Sequence, residues 1–236
     1  MVLAGGKGVR MQSDLPKVLH LLNGKSLIEH VVDSLNSAGI YDILVVVGYK
    51  GDEVISRLGN RVNYAWQHEQ LGTGHAVMQA EDYFKDYSGD IVVACGDVPL
   101  IKPSTFRDVV SKGEEDMTGA VVLTMILDDP HGYGRVVKDS AGAFVSIVEE
   151  KDASEETKKI KEVNSGTYLF KSSLLFKGLK SVTTDNAQGE YYLPDVLSYM
   201  VSKGYNIKTS LLSHSQEGRG INTKEELLEL ERSISS

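Results

Sequence analysis

A single cysteine among 236 residues, Cys95, excludes an internal disulfide framework. It sits in the apolar run "IVVAC" and reads as a small core residue rather than a nucleophile. Long apolar runs are missing as well. Ile91 to Cys95 and Ala120 to Leu127 are the longest, far short of the roughly 20 residues of a membrane helix, so no span is expected. The first residues have no basic stretch, extended apolar core or small-residue cleavage site, which leaves a cytoplasmic location as the expectation. Positive charge is in deficit. Twenty-five Lys+Arg against 33 Asp+Glu give a net charge of -8, which repels a nucleic-acid backbone. The six histidines show no metal-ligand spacing with cysteine or carboxylates, and no Ser/His/Asp or Cys/His set marks nucleophilic catalysis. Internal repeats and low-complexity linkers are also lacking.

What remains is a globular composition, 41% hydrophobic and 25% charged, long enough for one large domain or two joined lobes. Against the acidic background, "LAGGKGVRMQSDLPKVL" (residues 3–19) gathers Lys7, Arg10 and Lys17 around Gly5, Gly6 and Gly8. The bland reading is a flexible loop; the sharper one is a phosphate cradle, in which glycines let backbone N–H groups approach an anion. Two familiar nucleotide patterns do not fit. The third glycine of a dinucleotide fingerprint is replaced by Met11, and a Walker loop ending at Gly24-Lys25-Ser26 would need its first glycine where Leu19 stands.

The first half alternates apolar runs with helix-period segments. Leu27, Ile28, Val31, Val32 and Leu35 fall on one helical face that stops at Gly39. Next come a buried strand at Asp42 to Gly48, a helix near Asp52 to Leu58, a strand "VNYAW", a helix from about Thr73 to Phe84 and a buried strand at Ile91 to Asp97. This order predicts an α/β fold with a mostly parallel sheet flanked by helices, which binds ligands beyond the carboxyl ends of its strands. From about residue 118, "GAVVLTMIL", "GRVVKD" and "GAFVSIVEE" predict an antiparallel insertion. "SEETKKIK" reads as a charged helix, "EVNSGTYLFK" as a strand kinked at Gly166, and Pro194 opens the helix "DVLSYMVSK". Thr223 and Glu226 stand at capping-box spacing before a closing helix. The whole chain, 1–236, is expected to be one domain, with approximate lobes 1–117 and 118–222 sharing one sheet and the closing helix at 223–236.

Three segments carry chemistry. Gly72 and Gly74 in "QHEQLGTGHA" bring backbone near a ligand or simply form a strand-to-helix turn, while Gln67 and Gln70 carry amides suited to a base edge. Asp97 in "GDVPL" ends a buried strand as a candidate Mg²⁺ ligand or as a helix cap before "PSTFRDVV". Together with "LPKVL", "GYGRVV", "IVEEKDA", "EVNSGTYLF", "NAQGEYYLPDV" and "GINTKEEL", these segments run in one order across nearly the whole chain. The sequence thereby resembles the nucleotide-sugar pyrophosphorylases, and among them the bacterial N-acetylglucosamine-1-phosphate uridyltransferases.

That resemblance implies a Rossmann-like nucleotide-diphospho-sugar transferase fold, with 1–117 binding nucleotide and 118–222 binding sugar phosphate. It implies transfer of a uridylyl group from UTP to N-acetyl-α-D-glucosamine 1-phosphate, giving UDP-N-acetylglucosamine and pyrophosphate with Mg²⁺ as cofactor. Leu3, Ala4, Gly5, Gly6, Lys7 and Gly8 match the triphosphate loop, and Arg10 and Lys17 the catalytic cations. Gln67, Gln70, Gly72 and Thr73 match the uracil-reading segment; Asp97 and Asn222 match the metal ligands. Gly134, Glu149, Asn164 and Tyr192 match the sugar pocket. The chemistry needs no general base, because a sugar 1-phosphate with a second pKa of about 6 is already a nucleophile near neutral pH. Glu149 is therefore expected to accept hydrogen bonds from sugar hydroxyls.

The sequence departs from this pattern in three places. No hexapeptide repeats come after Leu230, so acetyltransferase activity is not expected; "MVLA" is short for a first buried strand, which suggests an upstream segment; and Pro194 stands where a hydroxyl-bearing residue is expected. The rivals are a pyrophosphorylase for another sugar 1-phosphate, such as glucose 1-phosphate, and a non-catalytic subunit that senses a nucleotide sugar. Retention of Arg10, Lys17, Asp97 and Asn222 argues against the sensor. Oligomeric state is not legible.

Overall fold

The computed structural model describes residues 1–234. In chain order the first half holds β1 (Val2–Ala4), β2 (Leu21–Leu22), β3 (Lys25–Ser26), α1 (Leu27–Ser37), β4 (Leu44–Val47), α2 (Gly51–Leu58), β5 (Asn63–Trp66), α3 (Thr73–Met78), α4 (Glu81–Phe84), β6 (Asp90–Cys95) and α5 (Pro103–Gly113). The second half holds β7 (Thr118–Ile126), β8 (Arg135–Lys138), β9 (Phe144–Val148), β10 (Glu162–Lys171), α6 (Ser172–Leu179), α7 (Asp195–Ser202), β11 (Asn206–Leu211) and α8 (Lys224–Ile234). Residues 235 and 236, which the expected closing helix included, lie outside the described residues.

A nine-stranded sheet runs in the order β11-β7-β10-β6-β1-β4-β5, with the β8–β9 hairpin branching off β10. Only β10 is antiparallel to its neighbours along the main path; β11–β7, β6–β1, β1–β4 and β4–β5 are parallel. Strands that short and that apolar are stable because both faces are covered. Alternation along β4 shows how. Val45 and Val47 join Ile28, Val31, Val54 and Phe106 on one face, while Leu44 and Val46 join Val77, Leu175, Val196 and Met200 on the other.

Local signals placed many of these elements correctly. All five residues of the apolar face of α1 are buried, and Ser26 with Glu29 forms its capping box. Thr223 Oγ1 accepts from Glu226 N at 3.1 Å at the start of α8. Gly166 has φ +79, in the left-handed region, where the pairing of β10 with β7 shifts between Asn164 and Tyr168.

Other expectations need correction. The helix expected over Thr73 to Phe84 is two helices, α3 and α4, separated at Gln79 and Ala80. "SEETKKIK" forms only a 3-10 turn at Thr157–Lys159, since its side chains are exposed or half-buried and give a longer helix no apolar face to bury. β7 is not part of an insertion: it lies inside the main sheet between β10 and β11, leaving β8 and β9 as the outlying hairpin. The sequence reading did not anticipate α6, β11 or the β2–β3 hairpin. No helix among the described residues is long and apolar enough to cross a membrane.

Candidate active site

The parallel strands β1 and β6 end side by side, so the residues just after them, Gly5, Gly6 and Asp97, share one edge of the sheet. Here lies a cavity of about 280 Å³ lined by Leu3, Ala4, Gly5, Gly6, Lys17, Gln67, Gln70, Gly72, Thr73, Cys95, Asp97 and Glu190, among others. Its walls depend on close backbone approach. A Cβ on Gly5 would lie 2.6 Å from Gln67 Oε1. Gly72 has φ +106, and a Cβ there would lie 2.6 Å from the Tyr191 carbonyl oxygen. The segment 190–193 is laced to this wall: Tyr191 N donates to Leu71 O at 2.8 Å, Gly74 N to Tyr191 O at 2.7 Å, and Leu193 N to Thr73 Oγ1 at 3.1 Å.

Cations and oxygen ligands converge at one end. Lys17 Nζ donates to Asp97 Oδ2 and, at 3.1 Å, to Asn222 Oδ1; Arg10 Nη2 donates to the same Asn222 oxygen at 2.8 Å. Tertiary contacts hold Asn222 in place, because Ile221 N donates to the Asp97 carbonyl at 2.9 Å and Asn222 N to Glu226 Oε2 at 2.6 Å. Asp97 therefore does not cap α5, whose N-cap is Lys102. Two side-chain oxygens meeting on one ammonium define a cation-sized point. Mg²⁺ suits that donor set, since it binds through one or two carboxylates and completes its shell with water and phosphate oxygens. Among the described residues no three His, Cys, Asp or Glu side chains cluster to hold a metal, so most of the shell of an ion here would come from water and phosphate oxygens.

Lys7 and Gly8 do not line this cavity. The Lys7 ammonium lies over the Tyr49 ring, 5.5 Å from its centroid, and Lys50 approaches the same ring at 5.9 Å while donating to Asp14 O at 2.6 Å. The tip of the loop is thus tethered to the segment after β4.

A smaller cavity of about 90 Å³ shares the wall formed by Leu3, Thr73 and Cys95, and is completed by Glu149, Asn164, Gly166, Tyr168, Leu193 and Pro194. Asn164 lies at the β10 bulge. Its Nδ2 donates to Tyr168 Oη at 2.5 Å, and its Oδ1 accepts from Gly166 N at 2.9 Å, which leaves one amide hydrogen without a partner among the described residues. Gly134 backs this corner: its carbonyl accepts from Asn164 N at 2.9 Å, and a Cβ on it would lie 3.0 Å from Glu149 Oε1. Burial, followed by the negative charges of Asp152, Asp195 and Glu190, pushes Glu149 up to about 7, with Arg135 opposing. Tyr192 does not line this cavity. Its hydroxyl donates to Asp152 Oδ2 at 3.2 Å and accepts from Gln188 Nε2 at 2.9 Å.

The structure therefore brings Gly5, Gly6, Lys17, Gln67, Gln70, Gly72, Thr73 and Asp97 around one cavity and Glu149 with Asn164 around its neighbour, while Arg10 and Asn222 join Lys17 at the charged end. Several wall residues escaped the sequence reading, Cys95 and Glu190 among them. Cys95 is half-buried and lines both cavities, its thiol pushed up to about 12 by burial and then by Asp97. Glu190 faces the larger cavity only because the chain returns beside Leu71, and no local signal announces that.

Known proteins match nearly the whole length of the chain. Over 232 residues the chain is 47% identical to the bifunctional protein GlmU of Halalkalibacterium halodurans, covering 98% of this chain and 51% of that protein. It is 43% identical to the bifunctional protein GlmU of Acetivibrio thermocellus, covering 100% of this chain and 51% of that one. The chain thus spans about half the length of the curated relatives it matches. A crystal structure of a putative glucose-1-phosphate thymidylyltransferase from Bacillus anthracis in complex with a sucrose superposes with a TM-score of 0.78. The superposition covers 99% of this chain and 93% of that one at 23% identity, a likeness of fold. The family model described as nucleotidyl transferase matches residues 1–215, and the chain belongs to that family.

Proposed function

We propose that this chain transfers a uridylyl group from UTP to N-acetyl-α-D-glucosamine 1-phosphate, releasing UDP-N-acetylglucosamine and pyrophosphate. One observation carries the reading: Arg10, Lys17, Asp97 and Asn222 converge at the end of a nucleoside-sized cavity whose wall holds the amides of Gln67 and Gln70. The matched relatives, whose name is bifunctional protein GlmU, support the substrate assignment.

The chemistry is nucleotidyl transfer by in-line attack. The dianionic phosphate of the sugar is the nucleophile, so the protein's work is to orient it and to neutralise charge on the α-phosphate and the departing pyrophosphate. Lys17 and Arg10 supply fixed positive charge. Asp97 and Asn222 would hold Mg²⁺, which when bound neutralises phosphate charge that the two cations leave uncovered. On nucleotide binding the Lys17 ammonium exchanges its contact with Asp97 for phosphate oxygen. Glu149 and Asn164 face the smaller cavity and would accept from and donate to the amino sugar. Because both cavities share Leu3, Thr73 and Cys95, a sugar phosphate in one lies beside a nucleotide in the other. A nucleoside triphosphate substrate also supports a cytoplasmic location.

The test is pyrophosphate release with Mg²⁺ and UTP across N-acetylglucosamine 1-phosphate, glucosamine 1-phosphate and glucose 1-phosphate, with an EDTA control. EDTA-sensitive release chiefly with the N-acetylated sugar is the expected result. Preference for another sugar keeps the mechanism and replaces the substrate, while no release from folded protein with any sugar removes the proposal in favour of a nucleotide-sugar sensor.

A further inference from the structure

Gln67 is 4% exposed, and both hydrogens of its amide are committed. Nε2 donates to the Gly72 carbonyl at 3.0 Å and meets His75 Nδ1 at 3.2 Å. A carbonyl oxygen only accepts, so the bond to Gly72 fixes which end of the amide is the nitrogen, and the imidazole nitrogen facing it must be the one with a lone pair. Oε1 is left with no hydrogen-bond partner among the described residues, beside Gly5 on the cavity wall. A nearly buried side chain thus offers the cavity a lone acceptor and no donor.

An acceptor there selects a ring that carries hydrogen. Uracil has a hydrogen on N3 and cytosine has a lone pair, so this amide orientation favours uracil, and the reversed orientation would favour cytosine. We propose that His75 is a positioning residue for nucleotide choice: by accepting from Gln67 it locks the amide with its oxygen toward the base. The inference rests on the uridylyl-transfer reading for its biological setting, but its test needs only nucleotide binding. His75 is itself held, with its ring 6.2 Å from that of Tyr191 and Gln79 Nε2 3.2 Å from its Nε2. Gln79 Nε2 also donates to the His75 carbonyl at 3.1 Å, but Gln79 is half-buried and can exchange that bond for water and turn its amide oxygen toward the ring, whereas Gln67 is 4% exposed and anchored at Gly72. The imidazole tautomer is therefore set from the Gln67 side.

Substitution at His75 separates the hydrogen bond from the packing. His75→Leu leaves a hydrogen of Gln67 buried without an acceptor, while His75→Asn places an amide oxygen at the position of Nδ1. The measurement is the dissociation constant of UTP and of CTP by calorimetry with Mg²⁺ and no sugar phosphate, with the melting temperature of each variant; His75→Phe stands in if His75→Leu does not fold. The wild-type chain is expected to prefer UTP, the Leu or Phe variant to lose about tenfold of that preference, and the Asn variant to keep most of it. An equal loss for both nucleotides, an unchanged ratio in the apolar variant, a loss in the Asn variant as large as in Leu, or no UTP preference in the wild type overturns the proposal. If UTP is preferred and the ratio shifts as expected while no sugar phosphate is turned over, the substrate reading fails and this inference stands.

Discussion

The two cavities share a wall at Leu3, Thr73 and Cys95 yet are assembled in opposite ways. The larger one is built mainly from loops at the ends of parallel strands: glycine-rich backbone after β1, the amides after β5 and the carboxylate after β6, with Glu190 returning to its wall and Asn222 meeting its charged end. The smaller is built from positions within or beside antiparallel strands, with Asn164 at a bulge of β10 and Glu149 just past β9. Their electrostatics differ to match. Fixed cations meet a carboxylate in the first, whereas the second holds a desolvated carboxyl group among like charges, away from Lys17 and Arg10. A parallel sheet edge thus gathers phosphate-binding groups from separate loops, while a bulged strand aims single side chains at a small polar ligand.

The largest effect should come from breaking the charged end. Asp97→Ala and Arg10→Ala are each expected to lower kcat by about 10²–10³-fold. The folded state should survive, because Lys17 and Asp97 line a cavity open to solvent and belong to none of the apolar core clusters. Stopped-assay turnover and melting curves on the same preparations check both halves; unfolding, or wild-type turnover, would remove the assigned role.

A smaller effect should distinguish the second cavity. The Glu149 carboxyl lies near 7 when folded against an ordinary 4.5, so the folded state holds the extra proton between those values. Its contribution to stability is present below about pH 4.5, declines as pH rises through about 7 and is lost above. Melting temperature followed from pH 5 to pH 8 should therefore gain at the alkaline end in Glu149→Gln relative to wild type, with KM for the sugar phosphate raised more than KM for UTP. Equal shifts in the two KM values would dissolve the contrast between the cavities.

The smallest effect concerns the turn that carries Asn222. Thr223→Ala removes the acceptor for Glu226 N and is expected to cost about 1 kcal/mol, or about 2–4 °C in melting temperature. Because Glu226 also fixes Asn222 N, the Mg²⁺ concentration for half-maximal turnover should rise slightly as well. A change in stability with no change in metal dependence would show that this turn holds Asn222 by other contacts.

Much of the larger cavity was legible in the sequence because its parts are short and contiguous. The loop from Gly5 to Lys17 and the "EQLGTGHA" segment show their glycines and cations locally. The smaller cavity was legible only through motif resemblance, since nothing around Glu149 or Asn164 marks them as neighbours. Tyr192 illustrates the difference: it belongs to a matched motif, but its hydroxyl is engaged by Asp152 and Gln188, and the cavity wall is made by Leu193 and Pro194 instead.

Periodicity, capping boxes and apolar runs determined the alternation of strands and helices, because those signals act within one or two turns of chain. Tertiary structure alone decided that β7 enters the main sheet between β10 and β11, that the chain from 190 to 193 returns beside Leu71, and that Asn222 meets Asp97. These pairings join residues far apart in sequence. Strand register and burial of both faces of the sheet select them, and neither is encoded in any one segment.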